Sequence, residues 1–282
     1  MPVIFKGNDK IAYRDPACYY YNGEYHLFFT VSVKEGGYMY NRVGHSVSSD
    51  LRFFSDPELI TIKDYAWNFC SPGNIVKYND EYLICVTSYP MRVPYSERSY
   101  ADDTARLFFI KTKDFESFSM PECIYPKGRR NVNEGRMIDP YVFEKTNGEF
   151  FLFFKQNGVS VSRSINLCDW EFIGRTDGGE NACVIEEDGR YVLIHSPQNG
   201  IGIKKSNDLI SWEDSGVYTL EQERWDWAAG RLTAAFAMRA KTECAYKYIV
   251  FFHGSRADSI PETHGAASLA FAFTNDFKSY HF

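Results

Sequence analysis

Amphipathic stretches of helical period are nearly absent from this 282-residue chain. That removes the parallel α/β folds, which need a crossover helix for each strand pair. No apolar run approaches the length of a membrane span, so a membrane partner is not expected. There is no basic run either. With a formal net charge of −6 and a pI near 5.6, a nucleic-acid surface or an anionic bilayer is excluded as the main partner, and a small or neutral ligand is expected. The seven cysteines are odd in number and scattered, without a CxxC pair, which fits free thiols in a reducing compartment better than zinc or a disulfide framework. His45, His195 and His264 have no metal-ligand spacing. The opening residues, Met1-Pro2-Val3-Ile4-Phe5, lack the charged stretch, apolar core and cleavage site of a secretory signal. A cytoplasmic location is the expectation.

What is abundant is aromatic: 17% of the chain, with 23 Phe and 20 Tyr. Such residues favour strands and also pack on sugar rings. A short unit recurs five times: Asp or Asn, then Leu or Phe, two variable residues, then an aromatic. The copies are Asp50-Leu51 with Phe54, Asp114-Phe115 with Phe118, Asn166-Leu167 with Trp170, Asp208-Leu209 with Trp212, and Asp276-Phe277 with Tyr280. One copy is merely a turn leading into a strand; five with fixed internal spacing indicate a repeated supersecondary unit. Trp170 and Trp212 belong to this unit and are expected to be structural.

Upstream of each of the first four copies lies a hairpin. Its turns are Asn22-Gly23, Asn79-Asp80, Asn147-Gly148 and Asp188-Gly189, residues suited to positive φ. The strands that follow, Tyr25 to Phe29, Tyr82 to Val86, Phe150 to Phe154 and Tyr191 to Ile194, are dense in large apolar side chains, as expected where sheets pack on both faces. A fifth, longer hairpin is expected from Arg231 to His253. Four antiparallel strands per repeat and five repeats predict an all-β fold, a five-bladed β-propeller. No linker divides the chain, so residues 1–282 are expected to form a single catalytic propeller domain. The polar insertions from Met91 to Thr104 and from Asp214 to Gly230 are expected as loops over one face.

In a propeller the innermost strands surround the axis, so residues opening those strands converge from distant parts of the chain. The expected set is Asp15, Ser71, Asp139, Glu180 and Arg231. Asp15 and Asp139, each followed by Pro, would individually read as turn-capping residues. Three carboxyls facing one cavity would instead repel one another and hold at least one protonated near neutrality. Cleavage of a glycosidic bond needs such a set, with one acid for the leaving oxygen and one carboxylate for water or the sugar.

Arg14-Asp15-Pro16, Ile138-Asp139-Pro140-Tyr141-Val142-Phe143 and Glu180 ahead of Ala182-Cys183-Val184-Ile185 resemble the three catalytic motifs of glycoside hydrolase family 43 and its arabinanase-like and invertase-like relatives. The resemblance implies that Asp15 is the general base, Asp139 the residue that orients the acid and tunes its pKa, and Glu180 the general acid of an inverting hydrolase. The family usually has Gly-Pro after its acid, where this chain has Asn181-Ala182. Glu134 is a rival acid. Retaining fructan-cleaving relatives open on an Asn-Asp-Pro-Asn segment that is missing here, so inversion is expected. The implied substrates are arabinofuranosyl, xylosyl or related bonds of plant-type oligosaccharides.

Substrate-binding candidates are Trp67, Ser71, Arg231 and His253, with Trp225 and Trp227 as further aromatic faces. The chemistry requires no cofactor; the resemblance leaves room for a structural calcium ion near the axis, and the metal site is otherwise undefined. Two alternatives are a glycoside phosphorylase, with Arg129, Arg130, Arg136 and Arg231 holding phosphate, and a carbohydrate-binding propeller without catalysis.

Overall fold

The computed structural model describes residues 3–64, 67–89, 103–129, 132–257 and 265–282. The expected insertion from Met91 onward, Arg130 and His264 therefore lie largely or wholly outside the described residues. Five antiparallel sheets form the five blades of a propeller. The first blade is β2 (Ile11–Tyr21), β3 (Glu24–Glu35), β4 (Tyr38–Ser48) and β5 (Glu58–Leu59). In the second, the inner strand is split into β6 (Phe69–Cys70) and β7 (Ile75–Tyr78), followed by β8 (Glu81–Ser88), β9 (Arg106–Thr112) and β10 (Glu122–Cys123). The third is β11 (Ile138–Glu144), β12 (Phe150–Lys155), β13 (Val159–Ser164) and β14 (Glu171–Thr176). The fourth is β15 (Glu180–Glu187), β16 (Arg190–Ser196), β17 (Ile201–Ser206) and β18 (Glu213–Tyr218). The fifth is β19 (Arg231–Arg239), β20 (Tyr248–Ser255), β21 (Ser268–Thr274) and β22 (Tyr280–His281).

The last blade also takes in β1 (Val3–Phe5), which pairs antiparallel with β21 through Val3↔Ala270 and Phe5↔Leu269. This strand joins the two ends of the described chain in one sheet and carries no copy of the repeat. Among the described residues the helical content is one short 3-10 turn at Gln222–Arg224.

Consecutive residues on a strand face opposite sides of the sheet. Phe28 and Phe29, Phe153 and Phe154, and Phe251 and Phe252 are nevertheless all fully buried. Both faces of each second strand are thus covered by neighbouring blades, which is why these strands read as continuous aromatic runs.

The five Asp-Leu units share one local hydrogen-bond pattern. Oδ1 of Asp50, Asp114, Asn166, Asp208 and Asp276 accepts the backbone N–H groups two and three residues ahead, at 2.7–3.1 Å. A hydroxyl two residues upstream, from Ser48, Thr112, Ser164, Ser206 or Thr274, accepts the N–H of the Asp or Asn itself. The apolar residue between adopts positive φ in every copy: Leu51, Phe115, Leu167, Leu209 and Phe277, from 58° to 69°. Burial of that side chain and the capping hydrogen bonds offset a left-handed cost of about 1–2 kcal/mol per residue. The indole N–H groups of Trp170 and Trp212 donate to the carbonyls of Leu167 and Leu209, so both are structural as expected.

Candidate active site

Each inner strand breaks its ladder once. The register jumps between Arg14 and Ala17, Ile138 and Tyr141, Glu180 and Cys183, and Thr233 and Phe236, while in the second blade the gap between β6 and β7 takes the same place. At each break sits one left-handed residue: Asp15 (φ 49°), Ser71 (46°), Asp139 (55°), Asn181 (52°) and Ala234 (54°). A bulge re-aims its side chain out of the pleat. These five residues line one axial cavity. Asp15-Pro16, outside the ladder, needs no strand-pairing N–H from its proline.

This frame corrects the expected set of equivalent positions. Glu180 precedes the left-handed residue of its blade by one position and Arg231 by three; the equivalents of Asp15 are Asn181 and Ala234. Matching polar residues in the sequence cannot detect this, because the position is defined by backbone φ rather than by side-chain type. Asn181 also accounts for the departure from Gly-Pro: after glycine, Asn is among the residues best suited to positive φ. The offset separates the carboxyls. Asp15 and Asp139 line the cavity, whereas Glu180 is not part of its lining and its side chain is 35% exposed against 7% for Asp15.

The two cavity carboxyls are shifted in opposite directions. Burial pushes the Asp15 carboxyl upward, but the charge of Arg14 and the hydroxyls of Thr30 and Ser71 outweigh it and bring the pKa below the ordinary value. Its Oδ2 accepts from Thr30 Oγ1 at 2.9 Å and Ser71 Oγ at 3.3 Å, with Arg14 Nη2 at 3.4 Å. Asp139 has fewer cations near it. Burial first, then the charges of Glu180 and Asp15, push it up to about 7 against weaker opposition from Arg136 and Ser71. The Ser71 hydroxyl thus faces both carboxyls. Asp139 Oδ2 also accepts the Asn181 backbone N–H at 3.3 Å. Glu180 Oε1 pairs with Arg136 Nη2 at 3.4 Å, and Arg136 is braced by the Tyr89 hydroxyl at 3.2 Å and lies over its ring.

His253 is buried and accepts the Asp15 backbone N–H at Nδ1, 3.1 Å, so the ring is neutral with its proton on Nε2. Burial lowers its pKa to about 3 despite the neighbouring Asp15. Arg231 bears electrostatically on the same imidazole. The buried Nε atoms of Arg231 and Arg14 have no hydrogen-bond partner among the described residues. Trp67 is 50% exposed, stacked near Phe69. Trp225 and Trp227 stack on each other at 5.5 Å, and Trp227 stacks on Phe252 at 6.2 Å; both pack against the core. Glu134 is exposed, and its carbonyl is held by the Gln156 side chain. No group of three or more His, Cys, Asp or Glu among the described residues converges as a metal site.

Arg14 and Thr30 also belong to the site, beyond the residues the sequence pattern marks. Arg14 stands in the Arg-Asp-Pro motif, but Thr30 becomes its cross-strand partner only once the bulge is counted.

The model for "Glycosyl hydrolases family 32 N-terminal domain" matches residues 13–187, more than half of the chain. The chain belongs to this family. As a family 32-type glycosyl hydrolase it is a glycosidase, and the matched segment contains Asp15, Asp139 and Glu180. The fold is also that of solved propellers of low sequence identity. An exo-1,5-α-L-arabinanase from a bovine ruminal metagenomic library is 14% identical at a TM-score of 0.67, over 98% of this chain and 99% of that one. A glycosyl hydrolase from Bacteroides ovatus is 16% identical at 0.69, over 96% and 90%. The GH43_1 enzyme from Xanthomonas citri complexed with xylotriose is 12% identical at 0.66, over 99% and 93%. The expected likeness to family 43 thus holds at the level of fold. No curated protein sequence matches the chain.

Proposed function

We propose that this glycosidase hydrolyses arabinofuranosyl, xylosyl or related bonds of plant-type oligosaccharides with inversion, using Asp15 as base, Asp139 as modulator and Glu180 as acid. The observation that carries the reading is the opposite shift of two carboxyls in one cavity, Asp15 lowered and Asp139 pushed up to about 7, with the more exposed Glu180 next in sequence to the cavity-lining Asn181. Asp15 Oδ2 accepts two hydrogen bonds and pairs with Arg14, while Oδ1, 3.8 Å from His253 Nδ1, accepts no hydrogen bond among the described residues. Oδ1 is therefore the atom that takes a proton from the attacking water. Glu180 protonates the leaving oxygen, and Arg136 orients its carboxyl. Asp139, whose own carboxyl is pushed up by burial and by the neighbouring Glu180 charge, holds the Asn181 backbone N–H beside the acid.

Ser71 orders the two cavity carboxyls, His253 fixes the backbone of Asp15, and Arg231 and Trp67 receive sugar hydroxyls and a sugar face. No cofactor enters these steps. The seven free cysteines support a reducing, cytoplasmic setting.

The Nε atoms of Arg14 and Arg231, buried without a hydrogen-bond partner among the described residues, favour one second reading, a phosphorylase in which phosphate replaces water. A screen of chromogenic arabinosides, xylosides, galactosides and fructosides, with and without phosphate, tests both. Phosphate-independent release with the opposite anomer as first product, read by proton NMR, supports inverting hydrolysis. Retention or strict phosphate dependence overturns it, and no turnover on any glycoside removes the whole assignment.

A further inference from the structure

The five inner-strand breaks are tied to one another by a second ring of side chains. Opposite the residue that precedes each left-handed position stands, in blade order, Thr30, Thr87, Lys155, Ser196 or His253. Four of these accept the backbone N–H of the left-handed residue in the next blade. Thr30 takes that of Ser71 at 2.7 Å, Thr87 that of Asp139 at 2.9 Å, Ser196 that of Ala234 at 2.7 Å, and His253 that of Asp15 at 3.1 Å.

The junction from the third blade to the fourth breaks this rule. An ammonium has three donors and no acceptor, so Lys155 cannot receive the Asn181 N–H. That N–H goes to Asp139 Oδ2 instead. Lys155 Nζ donates at 2.9 Å to the carbonyl of Gly178, on the turn that leads into Glu180. Next to it, His195 Nδ1 accepts the Gly179 N–H at 3.0 Å. The turn has little slack, since a Cβ on Gly179 would lie 1.5 Å from the Ser196 carbonyl oxygen. The one irregular member of the ring therefore stands where the acid and the modulator meet.

We infer that Lys155 is a positioning residue for catalysis: by grasping the Gly178 carbonyl and leaving the Asn181 N–H to Asp139, it fixes the height and orientation of Glu180 relative to the modulator. The inference rests on the proposed roles of Asp139 and Glu180.

Lys155→Thr restores the acceptor found in the first two blades and offers Asn181 a competing partner. Lys155→Met removes the donor without adding an acceptor, and Lys155→Arg keeps a donor. On a glycoside with a poor leaving group, the Thr and Met variants are expected to lose roughly tenfold or more in kcat with KM within about twofold. On one with a good leaving group, which needs little proton donation, the loss is below about twofold. The Arg variant is expected to retain most of the wild-type rate on both. Equal losses on the two substrates, wild-type behaviour of both Thr and Met, or an Arg variant as impaired as Met would each overturn the inference. Glu180→Gln assayed in parallel separates the two levels. If it discriminates between leaving groups and the Lys155 variants do not, Lys155 alone is wrongly assigned; if it does not discriminate, the acid assignment and the inference on Lys155 fall together.

Discussion

Two sets of five left-handed residues punctuate the propeller, one in the turns between third and fourth strands and one at the breaks of the inner strands. In the turns the chemistry is held constant: a hydroxyl, an Asp or Asn, a buried Leu or Phe, and an aromatic four residues after the Asp or Asn. At the inner breaks the backbone is equally constant, but the residues are Asp, Ser, Asp, Asn and Ala. Identical geometry with identical residues marks what every blade needs in order to fold. Identical geometry with different residues marks a place where each blade presents something of its own to one cavity. The same contrast recurs among the tying residues, where four acceptors and one lysine make the third-to-fourth junction the exception.

Substitutions in the two sets should therefore separate activity from stability. The largest effect is expected for Asp15→Asn, which removes the proton acceptor. It should lower kcat/KM by roughly 10³-fold or more while the unfolding transition stays cooperative. Asp139→Asn should lower kcat by a smaller factor, about 10-fold to 100-fold, and change the pH dependence of stability. In the native protein the Asp139 pKa is about 7, above its unfolded value near ~4. Its favourable contribution is complete below the unfolded value and is lost as pH rises through the folded one. The Asn variant should accordingly gain stability relative to wild type above pH 7, on the order of a few kcal/mol, measured by urea unfolding at pH 5 and pH 8.

Asp208→Ala, in a turn, should cost about 1 kcal/mol of stability through lost capping hydrogen bonds and leave turnover per folded molecule unchanged. Backbone hydrogen bonds hold the Asp208 carboxylate down at about 2. Its contribution is therefore present above the unfolded carboxylate value and disappears as pH falls toward 2. The smallest effect is expected for Ala234→Gly, which relieves the one left-handed inner residue with neither a polar side chain nor a known chemical role. A gain of about 0.5–1 kcal/mol with unaltered kcat is the expected outcome; a large activity loss would show that Ala234 shapes the substrate pocket.

The same physics explains what the sequence could display. The turns close through hydrogen bonds spanning two or three residues, so their pattern is written in adjacent letters and the five blades could be counted from it. The buried Phe pairs of the second strands were equally visible. Strand β1 was not, since its three residues pair across nearly the whole chain and obey no local rule. Asp15 and Asp139 could be found because Asp-Pro marks the inner break directly. Glu180 was found through its motif, but its offset from the ring was hidden, because only φ shows that Asn181 holds the equivalent position. Arg231 was misaligned for the same reason. Thr30 and Lys155 face the site through a register that a bulge displaces by one residue, and no spacing in the sequence reports a bulge.

The most direct test of the central claim is the Glu180→Gln variant assayed on two glycosides of the same sugar, one with a poor and one with a good leaving group. Loss of about 10³-fold on the first, with the second nearly unaffected in the bond-breaking step, is the result expected of the acid that protonates the leaving oxygen. Equal rates of variant and wild type on both substrates would contradict it.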